Sequence, residues 1–372
     1  MNLRTLKLVQ FRNYSQAYLE LNEHVNIVCG DNGVGKTALL EAIHYLSLAK
    51  SFRTNNDLDV LETGQVYFQI FGKFDSLKFG RIEINVNYSK EVGKKVFINK
   101  VELKKRIDIV GKMPVIILSP GTQKITDGGP AVRRGFIDRI ISQVNYEYFS
   151  SLVEYKKRIY QRNLILNQYR NRQHNKKYDK YFEAMDDIIV NHAERVSNIR
   201  KRFVNEFNPI LNANFQKLSH FKKPIVLEVG SNIPGDETEF RECFKSRLIS
   251  RFQIDLKTGR TSIGPHLDNV MLVYGDRDIR YLGSQGEHKI LLVSLKMAEG
   301  KFIEEQAGEP IIFLLDDLFA MLDITHCVNI INNIGDQNQI LMTTTDIRNI
   351  NRRKLAGGRR RIKIYNLPIG IA

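Results

Sequence analysis

A strand, a glycine-rich turn and a helix in immediate succession constrain this chain more than any other stretch. Val25-Asn26-Ile27-Val28-Cys29 reads as a buried strand and Gly30-Asp31-Asn32-Gly33-Val34-Gly35 as the turn. Lys36-Thr37 then opens an apolar-periodic run, Ala38, Leu39, Leu40, Ala42 and Ile43. This is G-x-x-x-x-G-K-T in the strand-to-helix context that gives the motif its meaning. Glycines let the backbone wrap an anion with its N–H groups inward, and the helix N-terminus adds positive potential. Lys36 reaches the β- and γ-phosphates of a nucleotide, and the Thr37 hydroxyl can ligate Mg²⁺. A chance match in a glycine-rich turn would lack the flanking strand and helix.

At 372 residues the chain exceeds one typical core, so two lobes are expected. Its 42% hydrophobic and 26% charged residues describe a globular protein. Neither a signal sequence nor an uninterrupted apolar stretch of about 18 residues is present, which predicts a cytoplasmic protein without a membrane partner. Cys29, Cys243 and Cys327 lie far apart with no metal-ligand spacing and read as small buried hydrophobes. The net charge of +15 is concentrated: residues 151–203 hold 13 Lys/Arg against 6 Asp/Glu, and residues 347–372 hold 8 Lys/Arg and no acid. Such a distribution predicts a polyanion-binding surface; the plainer alternative is a solvated helix face with a basic tail.

Leu3 to Phe11 and Tyr18 to Leu21 predict two strands ahead of the turn, and 66–74, 81–88 and 95–98 predict antiparallel strands after it, the middle one alternating with period two. A short buried strand, 114–118, follows. From Pro130 a helical spacing of apolar residues runs through Val132, Phe136, Ile140, Val144 and Phe149 to Val153. A second helical pattern spans about 178–218, with a break expected at Pro209. Strand signals return at 225–229, 270–274, 311–315, 340–342 and 361–365. The expected division is therefore a discontinuous α/β lobe, 1–127 with 263–372, and an inserted, mainly helical lobe, 128–262. The hydrophobic stripe is not sustained as heptads, which argues against a long coiled coil.

Two further constellations carry chemistry. The apolar run Ile311–Leu315 ends in Asp316-Asp317, so a strand delivers carboxylates from its C-terminal end. Asp316 is placed to hold Mg²⁺ with Thr37, and Asp317 to orient or deprotonate an attacking water. Ser284-Gln285-Gly286-Glu287 precedes another apolar-periodic helix and forms a second anion site, although alone it could be an ordinary helix cap. One nucleotide does not need two phosphate-binding helix ends in one subunit.

The order P-loop, Ser284-Gln285-Gly286-Glu287, Asp316-Asp317 and Ala320-Met321-Leu322-Asp323 resembles the ABC-type ATPase head, in which the signature loop of one subunit covers the nucleotide of the other. Leu6-Lys-Leu-Val-Gln-Phe-Arg-Asn-Tyr14, Ala49-Lys-Ser-Phe-Arg-Thr54, Gly128-Gly-Pro-Ala-Val-Arg-Arg-Gly-Phe-Ile-Asp138, Gly264-Pro-His-Leu-Asp-Asn269 and Leu314–Asp323 narrow it. Over essentially the whole chain the sequence resembles the RecF family of bacterial replication and repair proteins. The resemblance implies an ABC/SMC-like head with a β-rich subdomain and a short α-helical arm. It implies ATP and Mg²⁺ as cofactors and an ATP-dependent homodimer, with Ser284 and Gly286 acting in trans and Asp323 in the D-loop. It also implies weak, DNA-stimulated ATPase activity, DNA binding at single-strand gaps or junctions, and partnership with RecR and RecO in helping to load RecA.

Several positions depart from the family pattern. Gly121-Thr122 replaces the usual acidic pair after Ser119-Pro120, leaving Gln123 only a candidate Q-loop residue. Leu267 and Asn269 replace Arg and Asp in the G-P-H box, and Ala320 replaces the D-loop serine; as is similar in the family, Thr345 stands where transporter ATPases carry a switch histidine, so slow turnover is expected. Candidate DNA contacts are Arg53, Arg133, Arg134, Arg359, Arg360 and Arg361, with Arg352 and Arg353 in the same tail. Arg133 and Arg134 could pair with neighbouring acids instead, Arg53 could be a plain surface arginine, and His266 could cap locally or sense nucleotide. A transporter ATPase subunit, an ATP-gated nuclease and a scaffold with an idle nucleotide site are the rival readings. The helical insert and the absent switch histidine disfavour the first, and the short chain after Asp323 the second.

Overall fold

The computed structural model describes residues 1–372 except 172–176, 219–222, 234–237, 276, 282–283, 322–323, 347–359 and 369–372. The chain forms two compact units, Met1–Gln123 with Gln285–Ala372, and Lys124–Ser284. The first begins with β1 (Asn2–Phe11), β2 (Tyr14–Glu20), β3 (Val25–Cys29) and α1 (Lys36–Leu48). There follow β4 (Tyr67–Ser76), β5 (Gly80–Ser89), β6 (Gly93–Ile98), β7 (Val101–Glu102) and β8 (Val115–Leu118). β1, β2 and β4–β7 make an antiparallel sheet in the order β2-β1-β4-β5-β6-β7. Its register sets Ile70 opposite Val86 and Phe74 opposite Ile82, so the period-two apolar residues share one buried face.

The second unit contains α2 (Lys124–Asp127), α3 (Pro130–Val144), α4 (Tyr146–Asn171), α5 (Lys180–Leu218), β9 (Ile225–Gly230), α6 (Phe240–Ser250), α7 (Phe252–Thr258), β10 (Asn269–Tyr274) and β11 (Arg277–Asp278). Arg162 meets Asp186 and Arg200 meets Tyr148, so α4 and α5 run antiparallel. Three expectations are corrected here. The helical pattern through Val153 is interrupted at Asn145, whose backbone is extended and whose side chain accepts the Tyr148 N–H to start α4. Pro209 does not break α5: Phe203, Phe207, Leu211 and Phe215 stay buried across it, and burying such a stripe outweighs a proline cost of about 3 kcal/mol. The helical unit also extends past 262, because β10 pairs along its whole length with β9, and the units divide at 284/285 and 123/124.

The chain returns to the first unit as α8 (Gln285–Ala307), β12 (Ile312–Leu315), α9 (Leu318–Met321), α10 (Ile324–Asn333), β13 (Gln339–Thr344) and β14 (Ile362–Asn366). An all-parallel sheet results, in the order β14-β3-β13-β12-β8. β8, β12 and β13 are buried throughout, which is why they read as continuous apolar runs. α1 shares one core with both sheets: Leu39, Leu40 and Ile43 pack in a cluster with Leu6, Phe68 and Ile84 of the antiparallel sheet and Val28, Leu314 and Leu341 of the parallel one. Cys327 is buried as expected, whereas Cys29 and Cys243 are only half-buried; all three are free thiols. No helix of the described residues is long and apolar enough to cross a membrane.

Candidate nucleotide site

The parallel order places the C-terminal ends of β3 and β12 on either side of β13, the edge where α/β sheets bind ligands. The turn after β3 needs glycine at its end: Gly35 has φ +104°, and a Cβ there would lie 2.5 Å from the Asn13 side chain. Tyr14 donates its hydroxyl hydrogen to the Gly35 carbonyl at 3.2 Å, so the β1–β2 turn braces the loop. Lys36 is 5% exposed, with Nζ donating to the Gly30 and Asp31 carbonyls at 2.7 and 2.8 Å. Asp31, Asn32 and Gly33 are exposed, and Val34 anchors the loop against the core. An open cavity of about 480 Å³ lies over this loop, lined by Asn32, Gly33, Gly35, Lys36 and Thr37 and by Arg12, Arg53 and Asp317.

Thr37 donates to Asp316 Oδ1 at 2.9 Å. Thr343, fully buried at the end of β13, donates to the same oxygen at 2.9 Å, and its Oγ1 accepts the Asp317 N–H at 2.8 Å. Burial pushes the Asp316 carboxyl above the ordinary carboxylate range, against the pull of the two hydroxyls. A buried carboxylate whose donors are neutral hydroxyls, one of them the P-loop threonine, fits a hard cation with oxygen ligands. Asp317 lies in the left-handed region at φ +47° and lines the cavity.

The sequence motifs assign no role to four residues of this site: Arg12, Asn13, Glu41 and Thr343. Glu41, fully buried in α1, takes a bidentate pair from Arg12 (2.9 and 2.6 Å), a longer bond from Arg53 (3.4 Å) and the Ser51 hydroxyl. Its available signal was a lone carboxylate inside the apolar run Leu39-Leu40-Glu41-Ala42-Ile43.

Gln285 and Gly286 are exposed in the first turn of α8, Glu287 is half-buried there, and Ser284 is exposed just ahead of it. None of the three α8 residues lines the P-loop cavity of the same chain. Gln123 ends a short turn of helix, half-buried and outside that cavity, and Thr345 is exposed after β13.

Arg53 is a cavity residue with its side chain 48% exposed. Arg133 is corrected as a DNA contact: it is fully buried and donates to the Ile125 and Thr126 carbonyls and to Asp278. Arg360 is corrected likewise, buried against Asp336 and the Ile331 and Ile334 carbonyls at the end of α10. Arg134 is half-buried and donates to the Asp268 carbonyl at 2.5 Å, whereas Arg361 is exposed. His266 is held by the Tyr155 hydroxyl at 2.6 Å and by the Thr261 carbonyl at 3.2 Å, a local packing role, and burial pulls its pKa down to about 4. Asp323, Arg352, Arg353 and Arg359 lie outside the described residues, and nothing is described of the Ala320 side chain.

The model of the RecF/RecN/SMC N-terminal domain family matches residues 2–357. A protein of Leptospira interrogans serogroup Icterohaemorrhagiae serovar Lai named DNA replication and repair protein RecF is 34% identical over 351 residues, 94% of this chain and 93% of that one. A Chlorobaculum tepidum protein of the same name is 30% identical over 93% of this chain and 94% of its own length. Among solved structures, the recombination mediator protein RecF with ATP in the RecFOR pathway superposes with a TM-score of 0.86 at 28% identity, covering 93% of this chain and 92% of that one. An SMC head bound to the C-terminal winged-helix domain of ScpA, at TM-score 0.54 and 13% identity, shares the fold. The chain therefore belongs to the RecF family of replication and repair proteins, built on the ABC/SMC-like ATPase head.

Proposed function

We propose that this protein binds and slowly hydrolyses ATP, and that the nucleotide controls a DNA-bound homodimer. The observation that carries the reading is the meeting of Lys36, Thr37, Asp316 and Asp317 at the C-terminal edge of one parallel sheet. Lys36 leaves its loop carbonyls for the β- and γ-phosphates, and Asp317 orients or deprotonates water. Mg²⁺ would be held by Thr37 and Asp316, where it neutralises charge on the phosphates. The exposed Ser284, Gln285 and Gly286, with the half-buried Glu287, cap the nucleotide of a second copy, and Asp323 belongs to the same trans contact. Closure then depends on the γ-phosphate, which makes ATP a timer of residence on DNA at gaps or junctions. The relatives named DNA replication and repair protein RecF, and the solved relative from the RecFOR pathway, support a setting in DNA repair alongside RecO and RecR; helping to load RecA is what the family resemblance adds.

Light scattering of the full chain with ADP, ATP, and ATP plus gapped DNA tests this directly. Mass should double only with ATP, and Lys36→Ala should abolish the doubling. A chain that stays monomeric in saturating Mg·ATP and retains DNA no better than with ADP would refute the dimer.

A further inference from the structure

The segment Thr343-Thr344-Thr345 stands where a switch histidine was absent, and its first threonine faces both acidic residues of the site. β13 pairs in parallel with β12, Leu315 opposite Met342, so the next residue on each strand brings Thr343 beside Asp316. A hydroxyl has one hydrogen to donate and lone pairs to accept with. Thr343 uses both capacities: it donates to Asp316 Oδ1 at 2.9 Å and accepts the Asp317 N–H at 2.8 Å. That accepted bond fixes a backbone amide next to a φ of +47°, a conformation that non-glycine residues rarely hold without support. The hydroxyl is fully buried, so water is not at hand to replace either bond.

We infer that Thr343 is a positioning residue for hydrolysis: its single hydroxyl ties the Asp316 carboxylate to the backbone that aims Asp317 into the nucleotide cavity. This rests on the hydrolytic reading proposed above. Thr343 does not line the nucleotide cavity, so its loss acts on kcat through Asp317 and leaves the P-loop contacts of Lys36 in place. Serine keeps both bonds. Valine keeps the shape and the burial but neither donates nor accepts.

The test is steady-state turnover and Mg·ATP affinity, read with a fluorescent ATP analogue, for the full-length wild type, T343S, T343V, D317N and T343V/D317N, each checked by thermal melting. T343V should lose about 10- to 100-fold in kcat, with nucleotide affinity held within about threefold. T343S should stay within about threefold of wild type. The double variant should be no slower than D317N alone, because both changes disable one element. If T343V does not fold, T343A carries the same expectation. T343V or T343A turning over at the wild-type rate, T343S as slow as T343V, or additive losses in the double variant would overturn the inference. A wild-type chain without turnover overturns the hydrolytic reading and this inference with it, whereas turnover that survives T343V overturns this inference alone.

Discussion

Replacing Glu41 by alanine should weaken ATP binding, although the change removes a negative charge from beneath a phosphate site. Glu41 is fully buried and holds Arg12 in a two-bond pair, with Arg53 more loosely attached at 3.4 Å. Both arginines line the nucleotide cavity. Arg12 also sits at φ +57°, a strained backbone stabilised by the pair and by its N–H donating to the Val60 carbonyl. Removing one partner of a fully buried pair costs about 3–5 kcal/mol. Arg12 is 20% and Arg53 48% exposed, so water screens part of that loss and about 2 kcal/mol is the better figure. That figure is a cost to stability; for binding, re-ordering two freed arginines on the nucleotide costs about 0.5–1.5 kcal/mol each, and the resulting total of about 1–3 kcal/mol weakens ATP affinity roughly 5- to 150-fold. The opposing gain, the loss of a carboxylate's repulsion, acts across a solvated cavity, where unit charges at contact distance interact by only about 1–4 kcal/mol and less when farther apart. Titration with a fluorescent ATP analogue measures the net result, and hydrogen exchange of the Arg12 amide measures the loosening directly. Equal or tighter ATP binding, with exchange at Arg12 unchanged, would show that Glu41 does not organise these arginines.

Asp317→Asn should keep ATP affinity within about threefold while turnover falls at least about 100-fold and DNA complexes last longer; wild-type hydrolysis in that variant would remove Asp317 as the base. Arg361→Gln should reduce the slope of log affinity for DNA against log salt by about 0.9, whereas Arg360→Gln should lower the melting temperature through its lost Asp336 and carbonyl bonds; the reverse pattern would refute the assignment of one arginine outward and the other inward. His266 is neutral in the folded state down to about pH 4 but protonates near 6.5 when unfolded. The unfolded chain therefore binds more protons between those values, so full stability is present above about pH 6.5 and falls with pH by up to about 2–3 kcal/mol as pH 4 is approached. His266→Gln should flatten that acid limb in urea unfolding of the second unit, and an unchanged limb would locate the effect elsewhere.

The parts of this site that were legible in the sequence are those made by neighbours along the chain. Gly30 to Thr37 is one strand-turn-helix, and Asp316-Asp317 is the end of one apolar run, so each could be read within a window of a dozen residues. Arg12, Glu41 and Thr343 could not, because each acts through a partner brought close by the sheets: Arg12 to Glu41 through the turn after β1, and Thr343 to Asp316 through the β12–β13 register. The second domain boundary was missed for the same reason, since residues 263–284 join the helical unit through contacts far apart in sequence, the pairing of β10 with β9 and the bonds of Arg200 to Asp268 and Arg133 to Asp278 among them.

Charge was the least transferable signal, because a sequence counts cations without showing what each one faces. Arg133 and Arg360 belonged to basic clusters yet are buried with carbonyls and a carboxylate. Within the surplus at 151–203, Arg162 and Arg200 are wholly interior as well, the first between Asp186 and Asp255 and the second between Asp138 and Asp268. A buried guanidinium held in this way offers nothing to a phosphate, and pulling out Arg162 would leave Asp186 and Asp255 without their cation in the core. Any polyanion surface on this chain must therefore be made by the cations that remain outside. That is why the salt dependence of DNA binding should respond to Arg361 and stay insensitive to Arg133, Arg162, Arg200 and Arg360 wherever those variants still fold.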